Sequence, residues 1–326
     1  MSASRGRFIA ATAAVLAGAM RPASAQQPPT LVTLRGIVVP NDDLAPILYA
    51  QQSGMFRKIG LDVQLERSTS GAAVAAAVAG GSFDFGVASL TALISGHARG
   101  LPFVMIAPSH VIVAGDGTQE MIILKDSPIR RYRDLDGRVL AVPSIADANW
   151  ISSHAAVDAD GGDSGTIKFV ELPQTAIPPA LEQKRVDAAI VQEPVLDQAL
   201  ATGLFRSMGD PTLTIAKRWM VTATFALADF ANKNHDLVAR FGEALRAAIV
   251  FANTHHADTA PLVAAFTGAD PAATLQMHRN VFSEYLDPRE IQPAIDAAAR
   301  YKIIGHVFPA QELISPYALK PPASPS

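Results

Sequence analysis

The 326-residue sequence contains no cysteine. That absence excludes disulfide frameworks, cysteine nucleophiles, thiolate-bound zinc, cysteine-ligated iron–sulfur clusters and thioether lipid anchors. Charge is sparse, at 17% of residues, and the 27 Lys and Arg are scattered rather than gathered into runs. Without a basic stripe there is no electrostatic footprint for nucleic acid. Tryptophan occurs only at Trp150 and Trp219, where packing in a core or at a hinge is a commoner role for so large a ring than stacking on a planar ligand. Enzyme signatures are missing as well: there is no H-E-x-x-H, no G-x-x-x-x-G-K-[ST], no G-x-S-x-G and no complete G-x-G-x-x-G. Gly80-Gly81-Ser82-Phe83-Asp84 lacks the last glycine, and Gly115-Asp116-Gly117 is followed by Glu120 where a third glycine is needed. Past residue 25 no apolar stretch reaches the roughly 20 residues of a spanning helix.

What is present begins at the N-terminus. Arg5 and Arg7 precede a run of apolar and small residues at 8–20, followed by Pro22 and Ala23-Ser24-Ala25. This is the order of a secretory signal peptide cleaved after Ala25, and the run is too short for a membrane anchor. Cleavage removes Arg5, Arg7 and Arg21 and none of the 30 acids, taking the formal charge from −3 to −6. With no thiol to lipidate, the mature chain is expected to be free in a periplasm, and its length suggests two lobes.

Strand-like and helix-like segments alternate along the rest of the chain. Residues 31–39 read as a buried strand stopped by Pro40, and Asn41, Asp42 and Asp43 offer caps to a helix that Gly54 ends. Strands are expected at 61–66, 83–88 and 102–107, with an alanine-rich helix at 72–79 and another opened by Ser89 and Thr91. The order then recurs: strand 139–142, a helix capped by Ser144 with Asp147, strand 167–172, a helix entered through Thr175 and Pro178-Pro179, and strand 186–191. Within the repeat Asp84 aligns with Asp187 and Ser89 with Gln192. The alternation predicts an α/β fold, with a mainly parallel sheet flanked by helices in each of two lobes. Crossings between lobes are expected near 113–120 and 212–222, and helices at 236–253, 271–283 and 288–301. The domain reading is a signal peptide at 1–25, a first lobe from 26–115 and 220–319 that includes the C-terminal helices, a second lobe from 116–219, and a disordered tail at 320–326.

Several of these segments resemble a known family. Ala45-Pro46-Ile47-Leu48-Tyr49-Ala50, Gly54-Met55-Phe56, Gly60-Leu61-Asp62-Val63 and Gly81-Ser82-Phe83-Asp84-Phe85-Gly86 are similar to the first lobe of substrate-binding proteins of the nitrate/sulfonate/taurine type and the related thiamine-pyrimidine-binding group. Arg133-Asp134-Leu135-Asp136-Gly137-Arg138-Val139 and Val186-Asp187-Ala188-Ala189-Ile190-Val191-Gln192-Glu193-Pro194 resemble the second. The resemblance implies a type II periplasmic binding protein, a monomer whose lobes close on a small-molecule ligand and deliver it to the permease subunits of an ABC importer. It implies no cofactor, no catalysis, no nucleic acid and no membrane anchor. Enzymes of the same fold that depend on cysteine, the pyrimidine synthases and the porphobilinogen-polymerising enzymes, are disfavoured in a cysteine-free chain. A ligand-sensing partner of a membrane receptor is the second reading.

In open α/β sheets ligands bind beyond the carboxyl ends of strands, where helix N-termini present free N–H groups. That rule selects Pro40, Asn41 and Asp42, then Ser70 and Gly71, then Ser89, Leu90 and Thr91 in the first lobe. In the second it selects Ser144, Ile145 and Ala146, then Thr175, then Gln192 and Glu193. Converging helix N-termini favour an anion such as a carboxylate or sulfonate, with Arg67 as a further counter-charge. Asp42 and Glu193 favour an amine or a pyrimidine-like heterocycle instead, so the sign of the ligand's charge stays open. No metal site is expected: adjacent His255 and His256 diverge on a helix, and Asp42-Asp43 is explained by capping.

Overall fold

The computed structural model describes residues 31–322. The expected signal peptide, its cleavage after Ala25 and the last residues of the expected disordered tail lie outside them. Lys320, Pro321 and Pro322 are in no helix or strand. In chain order, the first sheet is fed by β1 (Val32–Val38), α1 (Ala45–Gln52), α2 (Met55–Lys58), β2 (Leu61–Arg67), α3 (Gly71–Ala79), β3 (Phe85–Ser89), α4 (Leu90–Ala98) and β4 (Phe103–Pro108). A crossing strand, β5 (His110–Val113), leads to β6 (Gln119–Leu124), β7 (Val139–Val142), α5 (Ala148–Ala159), β8 (Lys168–Glu171), α6 (Ile177–Glu182), β9 (Ala188–Gln192), α7 (Val195–Ala201) and β10 (Phe205–Ser207). The chain returns through β11 (Arg218–Met220) and β12 (Thr222–Leu227) to α8 (Ala228–Lys233), α9 (His235–Ala252), α10 (His256–Thr267), α11 (Pro271–Gln276), β13 (Val281–Phe282) and α12 (Pro288–Arg300).

The two five-stranded sheets have the same plan, β2-β1-β3-β12-β4 and β8-β7-β9-β6-β10. Three parallel strands are followed by two that each run antiparallel to their neighbour. The aligned aspartates hold equivalent places. Asp84 accepts the Arg35 N–H at 2.7 Å, and Asp187 accepts the Val139 N–H at 2.9 Å. Each returns its own N–H to the same strand, Asp84 to the Arg35 carbonyl and Asp187 to the Val139 carbonyl. A short acidic side chain before the central strand thus closes a two-bond ring that sets register in both lobes.

Each sheet is buried on both faces, as parallel sheets require. In the first lobe Val38, Leu61, Val63 and Phe85 pack with Phe56 and Phe241 under α2 and α9, while Val74, Leu93, Ile94 and Phe225 form the opposite core with Ile291 and Ile295 of α12. In the second lobe Ile177, Leu181 and Leu196 cover one face, and Val157 of α5 covers the other. Gly36 lies opposite Phe85 across β1 and β3. A β-carbon at Gly36 would overlap the Phe85 ring. Gly36→Ala is therefore expected to cost about 1–3 kcal/mol in chemical unfolding, and Phe85→Leu in that background should recover part of it.

Two local expectations are corrected, and the apolar run at 219–226 divides into two strands. At Val221 it breaks, with its N–H on the His110 carbonyl and its carbonyl on the Leu90 N–H. β11 pairs with β5, whereas β12 inserts between β3 and β4. The helix expected at 271–283 stops at Gln276 because Asp42 and Asp43 capture Arg279 and Asn280, and β13 then pairs with β5. Finally, α5 is capped by Asp147 alone, whose carboxylate accepts the Trp150 N–H at 2.9 Å, while the Ser144 hydroxyl faces the Ile145 carbonyl. Thr175 lies in a 3-10 turn just ahead of α6.

Candidate ligand cleft

Strand ends of both sheets open onto one cavity of about 620 Å³, within the range of small-molecule sites. From the first lobe it is lined by Asn41, Ser70, Gly71, Ser89 and Thr91, and from the second by Ser144, Ile145, Ala146, Asp147 and Glu171. α3 and α4 enter it by their N-termini. The Ser70 hydroxyl accepts the Ala73 N–H at 3.2 Å, and the Ser89 hydroxyl accepts the Ala92 N–H at 3.3 Å and the Thr91 hydroxyl proton at 3.3 Å. Each cap satisfies one orphan donor, and the positive end of each helix still faces the cleft. The Leu90 N–H goes to the Val221 carbonyl and its side chain is fully buried, so Leu90 contributes to the core.

The remaining wall is mixed, with Ser95 and Thr222 among apolar side chains. Val39, Ala72, Ala75, Ala88, Ala92 and Phe103 line it, with Leu101, Ile145 and Ile303 toward the rim. Arg99, just past the end of α4, is the one cation of the lining, and its Nε donates to the Ser95 carbonyl at 3.1 Å. On the opposite side, the Ile145 N–H donates to Glu171 at 2.9 Å, and Ala146 holds a φ of 62°. That left-handed conformation is strained for a residue with a β-carbon, and it turns the 144–147 segment into the cleft.

Burial raises the Asp147 carboxyl to about 7, and the neighbouring Glu171 charge adds to the rise, against the backbone N–H groups of Trp150 and Asn149, which lower it. An acid whose folded pKa exceeds its unfolded value binds its proton more tightly when folded. Its contribution to stability is full below about 4 and is lost as pH rises through about 7. Asp147→Asn keeps a capping side chain but has no charge to desolvate. The variant is expected to gain on the parent by roughly 1 kcal/mol or more between pH 5 and pH 8, as read by urea unfolding at the two values. An unchanged difference would show that Asp147 titrates normally.

Other expected site residues stand apart from this cavity. Pro40 precedes it without lining it. The Asp42 carboxylate is held by Arg279 Nε at 2.7 Å and by the Asn280 N–H at 2.9 Å, so it is not a free cleft acid. Arg67 lies over the Phe266 ring at 4.8 Å, on the outer surface. Thr175 is exposed. Gln192 belongs to a chain of amides at the strand ends of the second sheet, bonded to Gln174 at 3.1 Å and to Gln119 at 3.2 Å. Glu193 faces His278 at 3.4 Å. Trp219 is buried and donates to the Thr212 carbonyl at 3.1 Å, and Trp150 packs on His154 and Phe169. Glu171 ends β8 and was within reach of the strand-end rule. Arg99, near the far end of α4, carried no such signal.

A family model described as NMT1/THI5 like matches residues 41–258. No curated protein matches the sequence. Among solved structures, the periplasmic aliphatic sulphonate-binding protein SsuA of Escherichia coli is similar with a TM-score of 0.72 at 18% identity, over 86% of this chain and 97% of that one. The alkanesulfonate-binding protein SsuA of Xanthomonas axonopodis pv. citri, bound to MOPS, aligns with a TM-score of 0.67 at 17% identity, over 86% and 97%. For the periplasmic nitrate-binding protein NrtA of Synechocystis the TM-score is 0.66 at 14% identity, over 89% and 88%. The fold is thus that of the two-lobed type II periplasmic binding proteins.

Proposed function

Because the chain belongs to the NMT1/THI5-like family, we propose that it is a periplasmic solute-binding protein that takes a small organic anion with an apolar tail, such as a sulfonate or carboxylate, and passes it to an ABC importer. One observation carries this reading: a cleft between the lobes that receives the N-termini of α3 and α4 and whose lining also carries alanines, Val39 and Phe103. The helix ends supply N–H groups and a favourable potential for an oxyanion. Alanines and Phe103 suit a short hydrocarbon chain, and Arg99 adds a cation to the lining. Ser70, Gly71, Ser89, Thr91, Asn41 and the 144–146 turn are the proposed contacts. Hinge closure would bring the second-lobe contacts onto the bound solute. The signal-like N-terminus supports a periplasmic location, and no described helix is long and apolar enough to cross a membrane.

The acids Asp147 and Glu171 favour a second reading, a cationic amine or a pyrimidine donor. A thermal-shift panel of sulfonates, carboxylates, nitrate, pyrimidines and amines on the mature protein separates the two. A ligand at about 100 times its dissociation constant adds about 2.7 kcal/mol, so an anion that binds should raise the melting temperature visibly. A shift with amines or pyrimidines alone would replace the anion by the second class, and no shift at all would remove the solute-binding reading.

A further inference from the structure

We infer that Glu193, Asp197 and His278 form a divalent-cation site of the zinc type, which clasps the second lobe to the segment between α11 and β13. Each offers one ligand atom, and these atoms lie within 4.8 Å of one another. His278 Nδ1 is 3.4 Å from Glu193 Oε1 and 4.0 Å from Asp197 Oδ2. Both distances exceed the roughly 2.7–2.9 Å of a charge-assisted hydrogen bond. The shorter matches the ~3.3 Å that separates two ligand atoms bound tetrahedrally to one zinc at ~2.0–2.1 Å.

A second observation points to an ion. The Glu193 side chain is only 4% exposed, and its Oε2 is buried with no hydrogen-bond partner among the described residues. A buried carboxylate oxygen left unpaired is costly. One imidazole with two carboxylates is a donor set that zinc accepts, and it leaves a fourth position for water. The imidazole is also oriented: its ring lies on Gly117, where a β-carbon would come within 3.1 Å of His278 Cδ2.

The position gives the site a task. Arg279 and Asn280, the next two residues, are bound to Asp42 and Asp43 of the first lobe. His278 therefore reaches from a segment fixed to the first lobe, across the Gly115–Gly117 crossing, to Glu193 just past β9 and Asp197 in the first turn of α7. A cation there would hold the lobes in this relative arrangement, whichever solute the cleft takes.

The test uses the untagged full chain, stripped with EDTA and desalted, titrated calorimetrically with zinc chloride and separately with calcium chloride. One zinc per chain is expected, with calcium much weaker because imidazole is a poor calcium ligand. His278→Ala, at a side chain 59% exposed, and Asp197→Asn should fold normally and each weaken zinc binding by at least the roughly 10–100-fold that loss of an outer-sphere partner costs. The double variant His255→Ala/His256→Ala should bind as the parent does. Parent-like zinc affinity in His278→Ala, loss of binding only in the His255/His256 variant, or no zinc uptake by the parent would each overturn the site.

Discussion

Arg279→Ala is expected to lower the unfolding free energy by about 3–5 kcal/mol, the range for removing one partner of a buried ion pair. The Arg279 side chain is 3% exposed and that of Asp42 10%. Besides Asp42, the guanidinium bonds the His256 carbonyl at 3.3 Å, so it ties three segments together: the turn after β1, the start of α10 and the entry to β13. Without it the Asp42 carboxylate keeps only the Asn280 N–H, in surroundings that solvate a charge poorly. The pair itself is worth less than its rupture, since the same burial charges a desolvation cost to both ions. Asp42→Ala/Arg279→Ala should therefore lose less than the two single changes summed, and a double-mutant cycle measures the difference. Urea unfolding at pH 7 is the readout; a loss below about 1 kcal/mol in Arg279→Ala would mean that water reaches the pair.

Ser89→Trp is expected to abolish solute binding while leaving the protein folded. Ser89 ends β3, caps α4 and lines the proposed site. An indole there fills the polar end of the cleft and displaces any head group from both helix N-termini. Loss of the cap costs about 0.5–2 kcal/mol by itself, and Ser89→Ala isolates that cost without filling the cavity. The melting temperature of Ser89→Trp should therefore be somewhat lowered and insensitive to every compound that shifts the parent. Persistence of the shift would remove Ser89 from the binding surface.

Much of the architecture was legible because it follows from short-range pattern. Alternating buried strands and capped helices, and the paired Asp84 and Asp187, announce two similar sheets. Ser70 and Ser89 were legible as strand-end residues ahead of helices, and both line the cleft. What stayed hidden depends on partners distant in sequence. Nothing local marks Arg279 as the counter-ion of Asp42, 237 residues away, or breaks the helical pattern after Gln276. The same holds for Glu193 and His278, 85 residues apart. Asp147 displaced Ser144 as cap because Ala146, in a left-handed conformation, turns the chain between them. Period and capping rules do not register such a turn at an alanine.

The order of strands in the first sheet bears on how the chain folds. All five strands of the second sheet come from the continuous stretch between Gln119 and Ser207, whereas β12, from beyond that stretch, sits between β3 and β4. The second lobe is thus complete in sequence before the first can close, and its folding sets Ser207 beside Ile122. That contact shortens the effective loop between Pro108 and Thr222, lowering the entropy lost when β12 joins β4. Insertion of β12 joins strands more than a hundred residues apart on both of its edges, and it is expected to be the slow step of folding.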